Sequence, residues 1–328
     1  DGKVALVGDG IGPEARERHD LGKAMILPGA IDAQTHSLSQ KDQEDFIWST
    51  RSAAAGGVTT VVDMPYDIPK PVTNAELFHE KVGWVNRTAH VDVALYGTIQ
   101  KSGGTHHIKE IAAAGASSFK LSTYEYDATR FPRIDHVEME RAFARIAETG
   151  LMVALHNEDQ EIVVAMSKAA QESGRTDPIM HCRTRPPLCE NLANVTIFEI
   201  GLATGAHVHI AHSSLARGFD LAETYRGFGM QASGEACIQY LCMTEDDIVR
   251  LKGKGKCNPP FRTAEEGERR WDRLVTGKTA YVSTDHAPWP IEKKIDEDIF
   301  KCGAGLTGLQ SFAPLMFSLL AERGLPLT

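Results

Sequence analysis

The sequence predicts a (β/α)8 barrel of the α/β class. Two patterns carry that expectation. Short apolar, β-branched runs alternate with longer segments of helical periodicity, and residues able to do chemistry recur at the ends of the short runs, where such a barrel builds its site. At 328 residues and 42% hydrophobic content, the chain is long enough for one barrel of about 250 residues and a small extra part.

Residues 1–27 supply one strand-like run, Lys3 to Val7, a Gly/Pro turn, and charged residues leading to Met25-Ile26-Leu27. Pro28-Gly29 then opens the first barrel strand. Alternation along it puts Asp32, Gln34 and His36 on one face, stepping toward the strand's C-terminal end. Alone, His36 is an ordinary surface or hydrogen-bonded histidine.

Further strands are expected to end near Pro65, Gly97, Ser122, Glu158, Ser214, Glu235 and His286, with packing helices such as Val137–Glu148 between them. Strand four places Lys120 inside a run that otherwise reads as core. A buried lysine needs a partner or a modification; the plainer alternative is that it snorkels outward between helices. Strand five ends on His156-Asn157-Glu158. In strand six, period two groups His212 with Val208 and Ile210, which leaves His209 as an outward histidine under a helix. A rigid Pro-Pro loop, Lys256–Arg262, can present the Asn258 amide to a ligand, and strand eight ends on Asp285-His286.

Composition removes several classes of partner. With 44 acidic and 35 basic residues the formal charge is -9, which repels phosphate backbones, so nucleic acid is not an expected partner. No apolar segment approaches the roughly 20 residues that span a bilayer, and the first residues do not read as a signal peptide. The expectation is a cytoplasmic enzyme without a membrane partner. Cys182, Cys189, Cys237, Cys242, Cys257 and Cys302 contain no Cys-x-x-Cys pair, and are expected to be reduced thiols, mostly buried.

Taken in order, Asp32-x-Gln34-x-His36, Phe119-Lys-Leu121, Leu155-His-Asn-Glu158, Ile210-Ala-His-Ser-Ser214, Asn258-Pro-Pro-Phe-Arg262 and Ser283-Thr-Asp-His-Ala-Pro288 resemble the motifs of the cyclic amidohydrolases. This group of the amidohydrolase superfamily comprises hydantoinases, dihydropyrimidinases, allantoinases and dihydroorotases. Arg185-Pro-Pro187 with Glu190, Gly234-Glu-Ala236, and Gly305 through Leu309 fit the group too, so the resemblance runs from about Met25 to the C-terminus.

The resemblance implies a metal-dependent barrel over residues 28–328. Residues 1–27 would be the remnant of a small N-terminal β-sandwich whose opening strands lie upstream, with the C-terminal sandwich strands not included. A homo-oligomer, dimer or tetramer, is expected. The implied site holds two divalent ions, usually zinc, bridged by Lys120 carrying CO2 as a carbamate. His156 and His212 would bind one ion, His36 and Asp285 the other. A hydroxide activated by the metal would attack the carbonyl of a small cyclic amide, and Asp285 would pass its proton to the leaving ring nitrogen.

One position departs from the pattern: Gln34 stands where the family carries a histidine. A neutral amide is a poorer transition-metal ligand than imidazole. Three readings follow: two ions with one weakly held, a mononuclear hydrolase, or a catalytically impaired or silent scaffold like the dihydropyrimidinase-related neuronal proteins.

For substrate, the positions that bind a carboxylate in dihydroorotases hold Leu38, the Tyr66-Asp67 pair and Trp289. A free carboxylate would meet no cation there, which disfavours that activity. Residues Asp63–Pro69 are closer to the allantoinase and hydantoinase pattern, with Asp67 a candidate substrate contact and Trp289 an apolar wall. Tyr124 lies one residue short of the spacing at which hydantoinases supply a phenol to the substrate carbonyl. Otherwise Tyr124 and Tyr126 cap a loop.

Overall fold

The apolar runs assemble into one eight-stranded sheet. The computed structural model describes residues 4, 6–8, 14, 16–39 and 44–326. Its strands are β1 (Ala30–Thr35), β2 (Val58–Asp63), β3 (Asp92–Gly97), β4 (Ser118–Ser122), β5 (Met152–His156), β6 (His207–Ile210), β7 (Ala232–Cys237) and β8 (Tyr281–Ser283). Each pairs in parallel with the next in sequence. A parallel bridge from Thr35 to His286, with His36 N–H donating to the His286 carbonyl at 2.8 Å, brings the end of β8 against β1 and closes the barrel.

Alternation sorts the side chains into two layers. Phe119, Leu121, Val153, Leu155, Val208 and Ile210 point outward into a buried apolar layer shared with Met139, Phe143, Ile197 and Phe198 of the surrounding helices. The barrel interior is polar. Asp32 there accepts from Thr284 N–H at 3.1 Å and from the Thr284 hydroxyl, tying β1 to the end of β8. Burial pushes the Asp32 carboxyl up to about 6 against those hydrogen bonds.

The helices begin where side chains can take up free N–H groups. Asp135 accepts from Val137 and Glu138 N–H to start helix His136–Ala147, and Asp159 does the same for Ile162 N–H at the start of Gln160–Glu172. Among the described residues no helix is long and apolar enough to cross a membrane.

The N-terminal strand expected at Lys3–Val7 lies partly outside the described residues, which omit Lys3 and Ala5. Val4, Leu6 and Val7 are exposed and form no strand.

Two buried networks brace the mouth of the barrel. Arg262 bonds Glu190 at 2.5 Å, the Ser214 hydroxyl at 2.8 Å and the Arg185 carbonyl at 2.6 Å, so the Arg-Pro-Pro, Ser-Ser and Phe-Arg motifs are held together by one guanidinium. Lys256 donates to the carbonyls of Ile299 (2.7 Å) and Cys302 (2.6 Å), and Lys294 to those of Lys256 (2.9 Å) and Gly305 (2.7 Å). This pins the segment after β8 across the opening. Trp289 donates its indole N–H to the Ala304 carbonyl at 2.9 Å. A Cβ at Gly303 would fall 2.5 Å from its ring, so only glycine admits that approach.

Candidate active site

A cavity of about 630 Å³ opens at the C-terminal ends of the strands, the usual site of chemistry in this architecture. Gln34, His36, Lys120, His156, His212 and Asp285 all line it, as do Asn258, Tyr124 and Trp289.

The centre is a linear polar chain. The Lys120 ammonium donates to Gln34 Oε1 at 3.3 Å, and Gln34 Nε2 donates to Asp285 Oδ1 at 2.8 Å. His36 Nε2 lies 3.2 Å from the same Asp285 oxygen. Opposite stands an imidazole pair, with His156 Nδ1 and His212 Nε2 3.1 Å apart. His156 Nε2 in turn meets Glu158 at 2.9 Å, so the ring's tautomer is set from outside the cavity. Arg185 also bonds Glu158. Burial alone would raise the Glu158 carboxyl, but Arg185 and His156 outweigh it and hold it down to about 2.

Burial, with Lys120 and His156 close by, keeps the His212 imidazole well below its ordinary pKa, and its Nδ1 is buried without a partner. Burial also lowers the Lys120 pKa, against the pull of Glu235 and Asp285, and raises that of Glu235, against the pull of Lys120.

Local backbone explains how two of these side chains arrive. His212 and Asp285 both have positive φ, 38° and 49°, a region that costs a non-glycine residue energy and recurs at functional sites. This corrects the reading of strand six. Val208 and Ile210 face the helices, whereas His209 is inside the barrel. Its Nδ1 lies 2.8 Å from the Ser233 hydroxyl, its Nε2 3.1 Å from the Tyr281 hydroxyl, and its ring stacks on Tyr281. His212 reaches the cavity because β6 ends at Ile210 and the chain then turns, which strict alternation cannot anticipate.

Asp67 is not brought to the cavity wall. Its carboxylate pairs with the buried Lys81 ammonium at 2.8 Å, and Lys81 also holds Asp63 at 2.8 Å. Asn258 lines the cavity, with its Oδ1 buried and without a partner. Tyr124 lies on the wall with the Arg185 guanidinium 4.8 Å above its ring. Aromatic rings frame the imidazole pair. Tyr126 meets His156 edge-on at 5.3 Å, and Phe131 stacks between Tyr126 and Tyr66.

The sequence reading passed over two residues. Glu235 sits on β7 facing Lys120, inside a Gly-Glu-Ala run whose buried acid was the available signal. Arg130 lines the cavity from the loop after β4, a cation at a position other than Leu38, Tyr66-Asp67 and Trp289.

The donor set offers a divalent ion two unequal places. At one, His156 Nδ1 and His212 Nε2 lie 3.1 Å apart, close to the roughly 3.3 Å between ligand atoms of a tetrahedral ion bound at ~2.0 Å. At the other, His36 and Asp285 share their space with an N–H of Gln34, which has no lone pair to give. Among the described residues, no three His, Cys, Asp or Glu side chains are grouped to hold an ion by themselves. An ion at the imidazole pair therefore needs a further ligand, and Lys120 supplies one only after its cationic end is modified.

The chain is 34% identical over 332 residues to the allantoinase of Rubrobacter xylanophilus, a match covering 99% of this chain and 72% of that protein. It is 30% identical over 330 residues to the L-hydantoinase of Paenarthrobacter aurescens, again covering 99% of this chain and 72% of that protein. Among solved structures, the L-hydantoinase (dihydropyrimidinase) of Arthrobacter aurescens superposes with a TM-score of 0.88 at 29% identity, over 92% of this chain and 67% of the other. No family model matches the chain.

Proposed function

This chain belongs to the cyclic amidohydrolases, hydrolases of the amidohydrolase superfamily that act on C–N bonds of cyclic amides, and from that premise we propose that it opens a hydantoin-type ring in an allantoinase-like or hydantoinase-like reaction. The supporting observation is the Asp285 carboxylate, held between Gln34 and His36 at the cavity floor and facing the His156–His212 imidazole pair.

The family implies a divalent metal. We assign it as zinc, with His156, His212 and carboxylated Lys120 as its principal holders and His36 with Asp285 as the weaker place. When bound, the ion supplies polarisation of the scissile carbonyl and a water acidic enough to attack near neutral pH. Lys120 is suited to carboxylation because burial lowers its pKa, enriching the neutral amine that can take up CO2. The product is an anion, which relieves the cost of a buried cation.

The remaining steps fall to the chain's own side chains. Asp285 takes a proton from the attacking water and returns one to the ring nitrogen as the C–N bond breaks. The free Asn258 Oδ1 accepts from a ring N–H. Tyr124, Phe131 and Trp289 pack on the ring faces and exclude water. The silent-scaffold alternative rests on Gln34 alone. The division at residues 27 and 28, the cytoplasmic location and the homo-oligomeric state belong to this same reading.

The test is a panel of hydantoin, allantoin and dihydrouracil offered to zinc-loaded protein, with the ring-opened acid quantified by chromatography. Metal-dependent opening of at least one ring is expected. Metal-replete protein that opens none would refute the proposal.

A further inference from the structure

Arg130 is a cation on the cavity wall that is fixed in place by backbone carbonyls, has no carboxylate partner among the described residues, and is left with donors to spare. Its guanidinium Nη1 donates to the Tyr66 carbonyl at 2.9 Å and to the Ser39 carbonyl, while Nε and Nη2 have no acceptor among those residues. The other cavity cations are committed or loose, Lys120 being bonded to Gln34 in the polar chain at the cavity floor. Arg185 is paired with Glu158, and Lys256 is saturated by carbonyls. Lys301 is exposed and lies 3.8 Å from Asp298, and Lys293 is exposed.

The loop that carries Arg130 is built to hold it still. Asp127 and Phe131 exchange backbone hydrogen bonds at 3.0 and 3.2 Å. The Asp127 carboxylate accepts from Thr129 N–H (2.9 Å) and from Arg130's own N–H (2.8 Å). The next residue, Phe131, stacks on Tyr66 with ring centroids 3.7 Å apart. The guanidinium thus spans three barrel loops, those after β1, β2 and β4, beside the aromatic rings that frame His156. A planar fork with unused donors suits a planar acceptor group carrying one or two oxygens.

We infer that Arg130 is a specificity-determining residue that binds an acceptor oxygen, of a carboxylate or a urea-type carbonyl, on the arm projecting from the substrate ring. This rests on the ring-opening function proposed above. A ring held over Asp285 directs its substituent toward the wall, where an apolar arm would leave these donors unpaired and an oxygen-bearing arm would satisfy them.

The experiment compares hydantoins whose 5-position carries a ureido, carboxymethyl or methyl arm, using wild-type, Arg130→Met and Arg130→Lys proteins of matched metal content. For acceptor arms, Arg130→Met should raise KM by about tenfold to a hundredfold, while the methyl arm changes by less than about twofold. If the carboxylate is the true ligand, Arg130→Lys retains most of the affinity and binding weakens with salt; if the urea is, Lys fails like Met and salt has little effect. Equal changes for all three arms, or a wild type that prefers methyl, would overturn the inference while leaving ring opening intact. A wild type that opens no ring would fail the function instead. Calorimetric binding of the same three compounds then decides the arm preference by itself, a methyl compound binding as tightly as the other two counting against it. The wild-type preference also stands as a test should either variant fold poorly.

Discussion

The side-chain amide of Gln34 donates to Oδ1 of Asp285 at 2.8 Å, the same oxygen that His36 Nε2 approaches at 3.2 Å. An ammonium only donates and an ionised carboxylate only accepts, so one amide orientation serves both Lys120 and Asp285. Where an imidazole would offer a lone pair to an ion, this chain offers an N–H. Gln34→His should therefore raise the metal content by roughly one ion per chain, measured by elemental analysis after dialysis. Turnover of an accepted ring should rise with it. Unchanged metal would remove residue 34 from the metal position. More metal with slower turnover would instead make Gln34 a substrate contact.

Asp285→Asn keeps the shape of the side chain and removes its ability to carry a proton. The loss expected in kcat is about 10²- to 10⁴-fold, the usual contribution of a positioned acid or base, with KM little changed. Steady-state kinetics on protein of matched metal content provides the check. A variant that keeps wild-type kcat would show that the proton moves by another route.

Strand positions were readable because a parallel strand buried on both faces writes a short apolar, β-branched run into the sequence, and its C-terminal end marks the cavity. Lys120 stood out because an amine breaks such a run. Parity failed at His209 and His212. The failure came from the strand's length, since β6 stops at Ile210 and the backbone turns with φ 38° before His212, and no local pattern encodes that turn. Asp67 misled because its partner, Lys81, lies on a separate helix. Arg130 went unseen because its position comes from carbonyls of Ser39 and Tyr66, loops far from it in sequence.

Lys81 is buried between Asp63 and Asp67, 2.8 Å from each, and also donates to the Met64 carbonyl at 2.6 Å. Asp63 in turn accepts from Thr35 Oγ1 and from Ser37 N–H, both at 2.9 Å, so this ion cluster fixes the loop that carries His36. Lys81→Met leaves two buried carboxylates without a counter-charge. A loss of about 3–5 kcal/mol is expected in denaturant unfolding, and adding Asp67→Asn should recover part of it. A loss within about 0.5 kcal/mol would show the cluster to be solvated.

The cysteines provide a pH test that is independent of the metal. All six are free, and only Cys242 is exposed. Burial of its sulfur, with Asp247 nearby, pushes the Cys242 thiol up to about 11, and burial pushes those of Cys182 and Cys189 up to about 12. The thiolate is the nucleophile, so a raised pKa means a smaller reactive fraction at neutral pH and a rate that keeps climbing past the point where a free thiol levels off. Iodoacetamide should modify native protein at Cys242 alone, with a rate rising about tenfold per pH unit through pH ~10, whereas an unperturbed cysteine flattens near its pKa of about 8.5. After denaturation every cysteine should react, because the pKa shifts belong to the fold. Peptide mass spectrometry against pH is the measurement. A plateau near pH 9 at Cys242 would mean that neither Asp247 nor the neighbouring chain reaches its sulfur, and a second fast-reacting site in native protein would mean that one of the five buried thiols is open to solvent.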